Sequence, residues 1–427
     1  MPGQLTENSL SRRRARSAGH ASGQENHVRA TPRSRTSLPP VILMGGSANA
    51  LSAARELSRQ GVQVFAINKP DAAVCFSRCA RSIRLPSDAN YARHWADYLL
   101  GPDSESLRGS VLLAASDVGL RILAQFRDAL RQKFLLDASD PAAQLTLLDK
   151  GCTYQAARNA SVPTPKFWVI RDHHELNRIR DELVYPLLVK PRLSFQFTER
   201  FAGKFFVVHD FSQLQASRLA VDAAEVDTIL VEQIPGPDTQ LCSYYTYLDE
   251  QSDPQFHLTK RVLRRNPPNM GLGCYHVTDW TPEVRDWALQ LLRHVRLQGL
   301  ANVEFKWDTR DQTWKLIECN ARLTEANTLL QRSGYPLATF VYNRIIGRPT
   351  PAFQRYKRGV RVWYPLEDSY AAWLLWSTGQ LSLGEWLKSL VHRKHLPIFS
   401  WRDPVPSLHG LAHRGRNAWR AWRTSNR

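Results

Sequence analysis

No stretch of this 427-residue chain approaches the roughly 20 consecutive apolar residues that a membrane-spanning helix needs. The Arg/Ser-rich start also lacks the apolar core of a secretory signal. Together these absences predict a soluble, cytoplasmic protein with no transmembrane segment. Cysteine is sparse and unpatterned. The six residues at 75, 79, 152, 242, 274 and 319 form no Cys-x-x-Cys pair and match no histidine spacing. That argues against a zinc site and a secreted disulfide framework, and predicts reduced thiols. Internal repeats are absent as well.

Acidic residues are scarce at the two ends only. The formal charge of +18 suggests a nucleic-acid partner until its distribution is counted. Residues 1–37 hold seven Arg against two Glu, and residues 350–427 hold thirteen Lys/Arg against four acids. That leaves 37 basic and 33 acidic residues for positions 38–349, so the body is nearly balanced. Nucleic acid is therefore not the expected partner of the body, and self-association is left open. The N-terminal 37 residues read as a disordered basic tail, and the aromatics beyond 350 as packing anchors, because their spacing is irregular.

Between these ends, 43% hydrophobic content is enough for several cores. "PPVILMGGSANALSAARELSRQGVQVFAIN" reads as a βαβ unit: apolar run 41–44, a glycine turn, a helix ending at Gly61, and a second run 62–67. Its GGSANA order is not GxGxxG, so a structural turn is favoured over a dinucleotide site. A further run, 111–114, leads through "ASD" into a helix over 117–134. Residues 38–140 thus predict a small parallel-sheet domain, with Ser116 and Asp117 at a strand's carboxyl end, where such sheets place ligands. A helix N-cap explains Asp117 equally well.

"SVPTPKFWVI" opens a second unit, 141–239, an α+β lobe with linker helices. Its pattern is strand 166–170, helix 172–182, strand "PLLVKP", a polar and aromatic loop at 191–204, strand 205–208, helix 210–219 and "TILVEQI". Residues 240–349 are richer in strands, with a helix over 281–297 capped by Thr281 and facing the core through Trp287, Leu291 and Val295. Residues 350–427 form a basic, Trp-rich extension.

The chemistry centres on "ANVEFKW", a polar turn "DTRDQ", and "TWKLIECNAR", a hairpin whose loop spans 308–312. This places Glu304 opposite Glu318, with Asn320 and Arg322 further along the same face. Two carboxylates held so close are costly unless a cation lies between them. An all-oxygen set of few protein ligands suits Mg²⁺, which takes its remaining ligands from water and substrate phosphates. A solvent-screened acid pair accounts for the same spacing. Lys190, at the end of an apolar strand, would be costly without an anion, although it could also snorkel. "LVEQIPGPD" offers backbone for an adenine edge at Glu232, Gln233 and Ile234, with Asp238 placed for ribose hydroxyls or serving as a plain turn acid.

Taken in order along residues 40–350, these elements resemble the ATP-grasp superfamily, and more closely its carboxylate–amine ligase branch, which includes D-aspartate ligase-like enzymes. The resemblance implies a Rossmann-like pre-ATP-grasp domain, a central α+β lobe and a C-terminal antiparallel-sheet lobe carrying the metal site. It implies ATP with Mg²⁺, or alternatively Mn²⁺, held by Glu304, Glu318 and Asn320. Lys150 of the "DK" pair and Lys190 match the phosphate lysines, Glu232, Gln233 and Ile234 the adenine hinge, and Asp238 the ribose acid. Arg322 and Arg264 match the arginines that stabilise the transferred phosphoryl group. Val262 stands where the family has a lysine, so Lys260 or Arg261 takes that contact. The usual glycine-rich phosphate loop is replaced by "RLSFQFTERFAGKFF", with Gly203 alone. The implied activity joins a small carboxylate to an amine through an acylphosphate. The alternative reading is a catalytically silent nucleotide-binding protein whose basic ends dock on nucleic acid or an acidic surface. A carboxylase or carbamoyl phosphate-forming relative ranks lower, since no biotin-carrier or glutaminase segment is seen.

Overall fold

The first apolar runs fold as their pattern predicts. The computed structural model describes residues 38–201 and 203–425, so the tail expected over 1–37 lies outside the described residues. Strands β1 (Val41–Met44), β2 (Val64–Ile67), β3 (Arg81–Ile83) and β4 (Val111–Ala114) form a parallel sheet in the order β3-β2-β1-β4. Val41 and Leu43 pack toward helix Ala48–Arg59, while Ile42 and Met44 pack toward helices Tyr91–Leu100 and Asp117–Gln125. Covered on both faces, β1 has no polar alternation to show. Gly45 and Gly46 adopt φ of +73° and +87°, and a Cβ on Gly45 would lie 2.1 Å from Ser116 Oγ. The glycines therefore serve a close approach between the turns after β1 and β4. The helix expected over 117–134 breaks at Phe126, and buried Arg127 beyond the break turns its guanidinium to Asp137 at 3.1 Å.

The second sheet is antiparallel: β5 (Phe167–Trp168), β6 (Leu187–Pro191), β7 (Phe206–Val208) and β8 (Thr228–Glu232), ordered β5-β8-β6-β7. The segment expected to be a loop at 191–204 contains a helix, Ser194–Arg200. No glycine or proline interrupts 192–201, and Phe197 is fully buried against Phe201 and Phe206, with ring centroids 4.7 and 5.0 Å away. Aromatic burial here outweighs the loop-like polarity.

The third sheet comprises β9 (Leu241–Leu248), β10 (Leu258–Asn266), β11 (Leu272–Asp279), β12 (Gly299–Asp308), β13 (Thr313–Asn320) and β14 (Arg361–Trp363). All neighbours are antiparallel, in the order β13-β12-β9-β10-β11-β14. Helix Pro282–His294 covers it through Val284, Ala288, Leu291 and Leu292, so the buried stripe is rotated from the expected one, and Trp287 and Val295 lie at its partly buried flank.

The chain leaving β13 is fastened to the parallel sheet. Leu323 donates its N–H to Ala114 O at 3.2 Å, and Asn49 donates to both Ala115 O and Leu323 O at 2.7 and 2.9 Å. Asn327 adds a bond to Ser52 at 3.1 Å. Through these bonds the end of β13 is held at the carboxyl edge of β4, and residues from both sheets meet there.

Helix Ala48–Arg59 also buries Glu56, whose Oε1 accepts from Thr339 N at 2.7 Å while Oε2 has no partner among the described residues. Burial pushes its carboxyl up to about 7. The folded state therefore holds the proton more tightly than the unfolded chain. The resulting stability is fully present below the unfolded value of about 4.3 and is lost as pH rises through about 7. Glu56→Gln keeps an acceptor and removes the charge. It is expected to flatten that loss and to gain on the order of 1–3 kcal/mol at pH 8, read from urea midpoints at acidic and alkaline pH.

Candidate active site

The hairpin turn sets the register as far as Phe305–Leu316, and a bulge beyond it resets the pairing at the carboxylates. Glu304 pairs with Glu318, and Asn302 with Asn320. An irregularity follows, in which Ile317 is the extra residue between the Glu304–Glu318 and Phe305–Leu316 pairs. Tyr154 holds that bulge by donating its hydroxyl to Ile317 O at 2.8 Å. Across the sheet, Glu304 aligns with Ser243 on β9, and Ser243 with Lys260 on β10. One face of the sheet thus collects Glu304, Glu318, Asn320 and Lys260, with Ser243 and Tyr245 buried between them. The two glutamates and the asparagine keep part of their surface accessible, as cleft walls do.

Lysines from other elements converge on the carboxylates. Lys150 opens helix Lys150–Asn159 behind its N-cap Asp149, and its Nζ lies 2.5 Å from Ser194 Oγ. Lys190 sits on β6 with its ammonium 5.9 Å from the centre of the Tyr154 ring. Burial and the neighbouring Lys150 push it down to about 8, against the pull of Glu318. Lys204, which sequence reasoning did not single out, leaves much of its surface exposed while its ammonium is crowded. Burial lowers its pKa, and Glu318 and Glu304 oppose that.

Burial alone would raise Glu318, but Lys150, Lys190 and Lys204 outweigh it and hold the carboxyl down at about 2. Glu304 moves the other way, raised by burial and by the Glu318 charge. Two such carboxylates side by side repel one another, and a cation between them would relieve that repulsion. Among the described residues no three His, Cys, Asp or Glu are grouped to hold a metal. A cation here would use two carboxylates and the Asn320 amide, drawing its other ligands from water or a bound anion. That donor set fits Mg²⁺.

Arg322 was expected on the strand face, but β13 ends at Asn320 and Arg322 lies on the following segment. Its Nε donates to Asp117 at 2.6 Å and its Nη2 to Asn320 Oδ1 at 2.9 Å. Asn320 Nδ2 lies 3.3 Å from Glu318 Oε1, which completes a chain from the parallel sheet to the carboxylate pair. The helix N-cap is Ser116, whose hydroxyl accepts from Gly119 N, so the Asp117 carboxylate is left to meet Arg322. Enclosure would lower the guanidinium pKa, but Asp117 overcomes it and raises it.

Residues 278–347, which contain Glu304, Glu318, Asn320 and Arg322, match the family model described as the carbamoyl-phosphate synthase L chain, ATP binding domain. A D-aspartate ligase of Enterococcus faecium (strain Aus0004) is 24% identical over 257 residues, spanning 58% of this chain and 61% of the relative. The match thus covers about three-fifths of that protein's length. The biotin carboxylase domain of Hydrogenobacter thermophilus 2-oxoglutarate carboxylase, solved with MgADP and bicarbonate, superposes with a TM-score of 0.58 at 16% identity. That superposition covers 75% of this chain and 73% of that one. The L-amino acid ligase of Bacillus licheniformis gives a TM-score of 0.55 at 17% identity, covering 72% and 74%. The chain has the ATP-grasp fold. Its parallel sheet corresponds to the expected Rossmann-like first part, followed by an α+β lobe and an antiparallel-sheet lobe.

Within this ATP-grasp frame some expected positions lie apart from the carboxylate cluster. Arg264 was expected near the phosphates. Instead its Nε and Nη2 bond the buried Asp368 carboxylate at 2.6 and 3.0 Å, and Nη2 also reaches Ser389 Oγ at 2.9 Å. The cause is a pair of register shifts between β10 and β11, with Leu263 the extra residue on β10 and Cys274 the extra residue on β11. A one-residue slip exchanges faces, so Arg265, not Arg264, acts electrostatically on Lys190, Lys204 and Glu304. Asp238, expected at the ribose, is buried and accepts from Arg265 Nε at 2.7 Å and from the N–H groups of Arg265 and Asn269 at 3.2 and 3.1 Å. Those bonds tie the segment before β9 to the end of β10.

Lys260 does reach the ATP-grasp sheet face. Its Nζ is 3.3 Å from His276 Nδ1, and burial lowers its pKa while Glu304 supports the charge. His276 Nε2 lies 3.0 Å from Gly273 O, so that nitrogen carries the proton and Nδ1 accepts from Lys260. At the hinge, Glu232 is fixed by Lys166 N and Arg310 at 3.1 and 2.5 Å, Gln233 N donates to Pro186 O at 3.0 Å, and Ile234 O accepts from Lys306 at 3.0 Å. These bonds fix the hinge and engage the Gln233 N–H and the Ile234 carbonyl oxygen within the protein.

Proposed function

We propose that the protein is an ATP-dependent ligase joining a small carboxylate to an amine, most economically an amino acid as one partner, in the cytoplasm. The observation that carries this is the Glu304–Glu318 pair surrounded by Lys150, Lys190 and Lys204. Such a cluster suits a divalent ion together with a polyphosphate. Glu304, Glu318 and Asn320 would hold Mg²⁺, with Mn²⁺ as an alternative occupant, and the ion would neutralise phosphate oxygens when bound. Lys150 and Lys190 would hold the α and β phosphates, while the Glu232, Gln233 and Ile234 backbone would receive the adenine edge. Arg322, with Arg265 taking the place first assigned to Arg264, would stabilise charge on the transferred phosphoryl group.

In this reading the substrate carboxylate attacks the γ-phosphorus and ADP leaves with the bridging oxygen. An amine then adds to the acylphosphate, expels phosphate and loses a proton to give the amide. The division of labour follows the lobes, with 38–140 and 240–349 meeting at Arg322, 141–239 covering the phosphates, and 350–427 adding β14 to the edge of the third sheet before its exposed helices. The name of the Enterococcus faecium relative supports testing D-aspartate first, followed by other amino acids as acid or amine.

The test is ADP release measured with carboxylates and amines offered in pairs. Joint stimulation, with an amide product identified by mass, is the expected result. Release driven by a carboxylate alone would replace the ligase with a kinase or hydrolase. ATP binding without release for any pair would leave the silent nucleotide-binding protein.

A further inference from the structure

The extension beyond 350 packs Phe353, Tyr356 and Tyr364 on the core but leaves others of its aromatics exposed. Of twenty large apolar side chains exposed among the described residues, twelve fall between 366 and 411. Helix Pro365–Ser377 buries Asp368, Ala371 and Ala372, and turns Leu366, Tyr370 and Trp373 outward at helical spacing. Helix Leu383–Leu390 buries none of its residues. Trp386 and Ser389 hydrogen-bond inward to Asp368 and Arg264, while Leu383 and Leu387, with Val391 one turn on, stay outside. Trp376 is 60% exposed, Val391 83% and Trp401 87%. An exposed apolar concentration of this kind marks an interaction surface.

Charge selects the partner. The segment's four acids are all engaged: Asp368 with Arg264, Asp403 with Arg55, Glu367 with Arg414, and Glu385 in the capping box of its own helix. Arg355, Lys357, Arg358, Lys388, Arg393 and Arg402 are exposed and unpaired with any acid among the described residues. The exterior of this segment is therefore apolar and cationic, and none of its own acids is left unengaged. A second copy docked on the same surface would set this cationic face against itself. Nucleic acid would satisfy the cations and leave the leucines facing phosphate.

We propose that the extension is a docking surface for a bilayer bearing anionic lipid headgroups. The indoles and leucines enter the interfacial region, and the Lys and Arg side chains meet headgroup phosphates. No helix among the described residues is long and apolar enough to cross a membrane, so the contact is peripheral. Arg264 on β10 fastens helix Pro365–Ser377 to the third sheet through Asp368.

The test is co-sedimentation of the full chain with vesicles of phosphatidylcholine alone or mixed equally with phosphatidylglycerol. Binding to the anionic vesicles is expected to exceed binding to the neutral ones about tenfold and to fall with added salt. The Trp373→Glu/Leu387→Glu variant is expected to lose about tenfold as well, with its circular dichroism and ADP release in solution unchanged. Failure of the wild type to bind anionic vesicles, equal binding to both kinds, or undiminished binding by the double variant would overturn the proposal. A dimer seen by light scattering that the double variant abolishes, with no vesicle binding, would assign the surface to a second copy instead. Retention on DNA without vesicle binding would assign it to nucleic acid.

Discussion

Glu318→Gln is expected to lower metal-dependent ADP release on the order of 10²–10³-fold, under conditions where the wild type turns over. The amide keeps the volume and an oxygen for the Asn320 N–H at 3.3 Å, so the packing of β13 is not disturbed. What it removes is the charge that Lys150, Lys190 and Lys204 are arranged to stabilise. Without it those lysines repel one another more strongly, and a divalent ion loses one of its two carboxylates. Nucleotide affinity should fall less than turnover, because the lysines still meet phosphate. An unchanged thermal midpoint would separate this effect from misfolding. Metal-dependent ADP release at the wild-type rate would remove Glu318 from the ion site.

How much of this was legible in the sequence depended on distance along the chain. The position of a short turn was enough to bring Glu304 and Glu318 near one another, but their direct pairing comes from the Ile317 bulge, since the turn's own register sets Glu304 against Ile317. The buried strands β1, β4 and β8 were readable as unbroken apolar runs for the same local reason. What failed was set by irregularity or by remote partners. The shifts in β10 exchange Arg264 for Arg265, and nothing in the "RR" doublet tells which of the two faces the cleft. Lys204 carried one weak signal, its place just after Gly203 in an otherwise aromatic stretch. His276 carried none, since its role follows from Lys260 on the neighbouring strand. Of the aromatics expected as packing anchors beyond 350, Phe353, Tyr356 and Tyr364 do pack on the core, while Trp373, Trp376 and Trp401 stay exposed among the described residues, a division set by the completed fold.

Arg322→Ala is the second large effect, and it draws on a contact that spans 205 residues of sequence, from Asp117 to Arg322. The guanidinium is held from two sides, by Asp117 and by the Asn320 oxygen, so its fork is oriented before any ligand arrives. An oriented cation helps most where charge develops, which in the proposed reaction is the transferred phosphoryl group and the oxyanion of amide formation. Turnover is expected to fall on the order of 10²–10³-fold, equivalent to about 2.7–4 kcal/mol, while ATP affinity stays within a few-fold of the wild type. Arg322→Lys retains the charge without the planar fork and should recover only part of the rate. Asp117→Asn leaves an oxygen for the Arg322 Nε–H and removes the counter-charge, so its loss should be smaller. Combining Asp117→Asn with Arg322→Ala should cost less than the sum of the two single losses, because both act through one pair. A raised nucleotide dissociation constant with unchanged turnover in Arg322→Ala would place the guanidinium on the resting phosphates instead of the group in transfer.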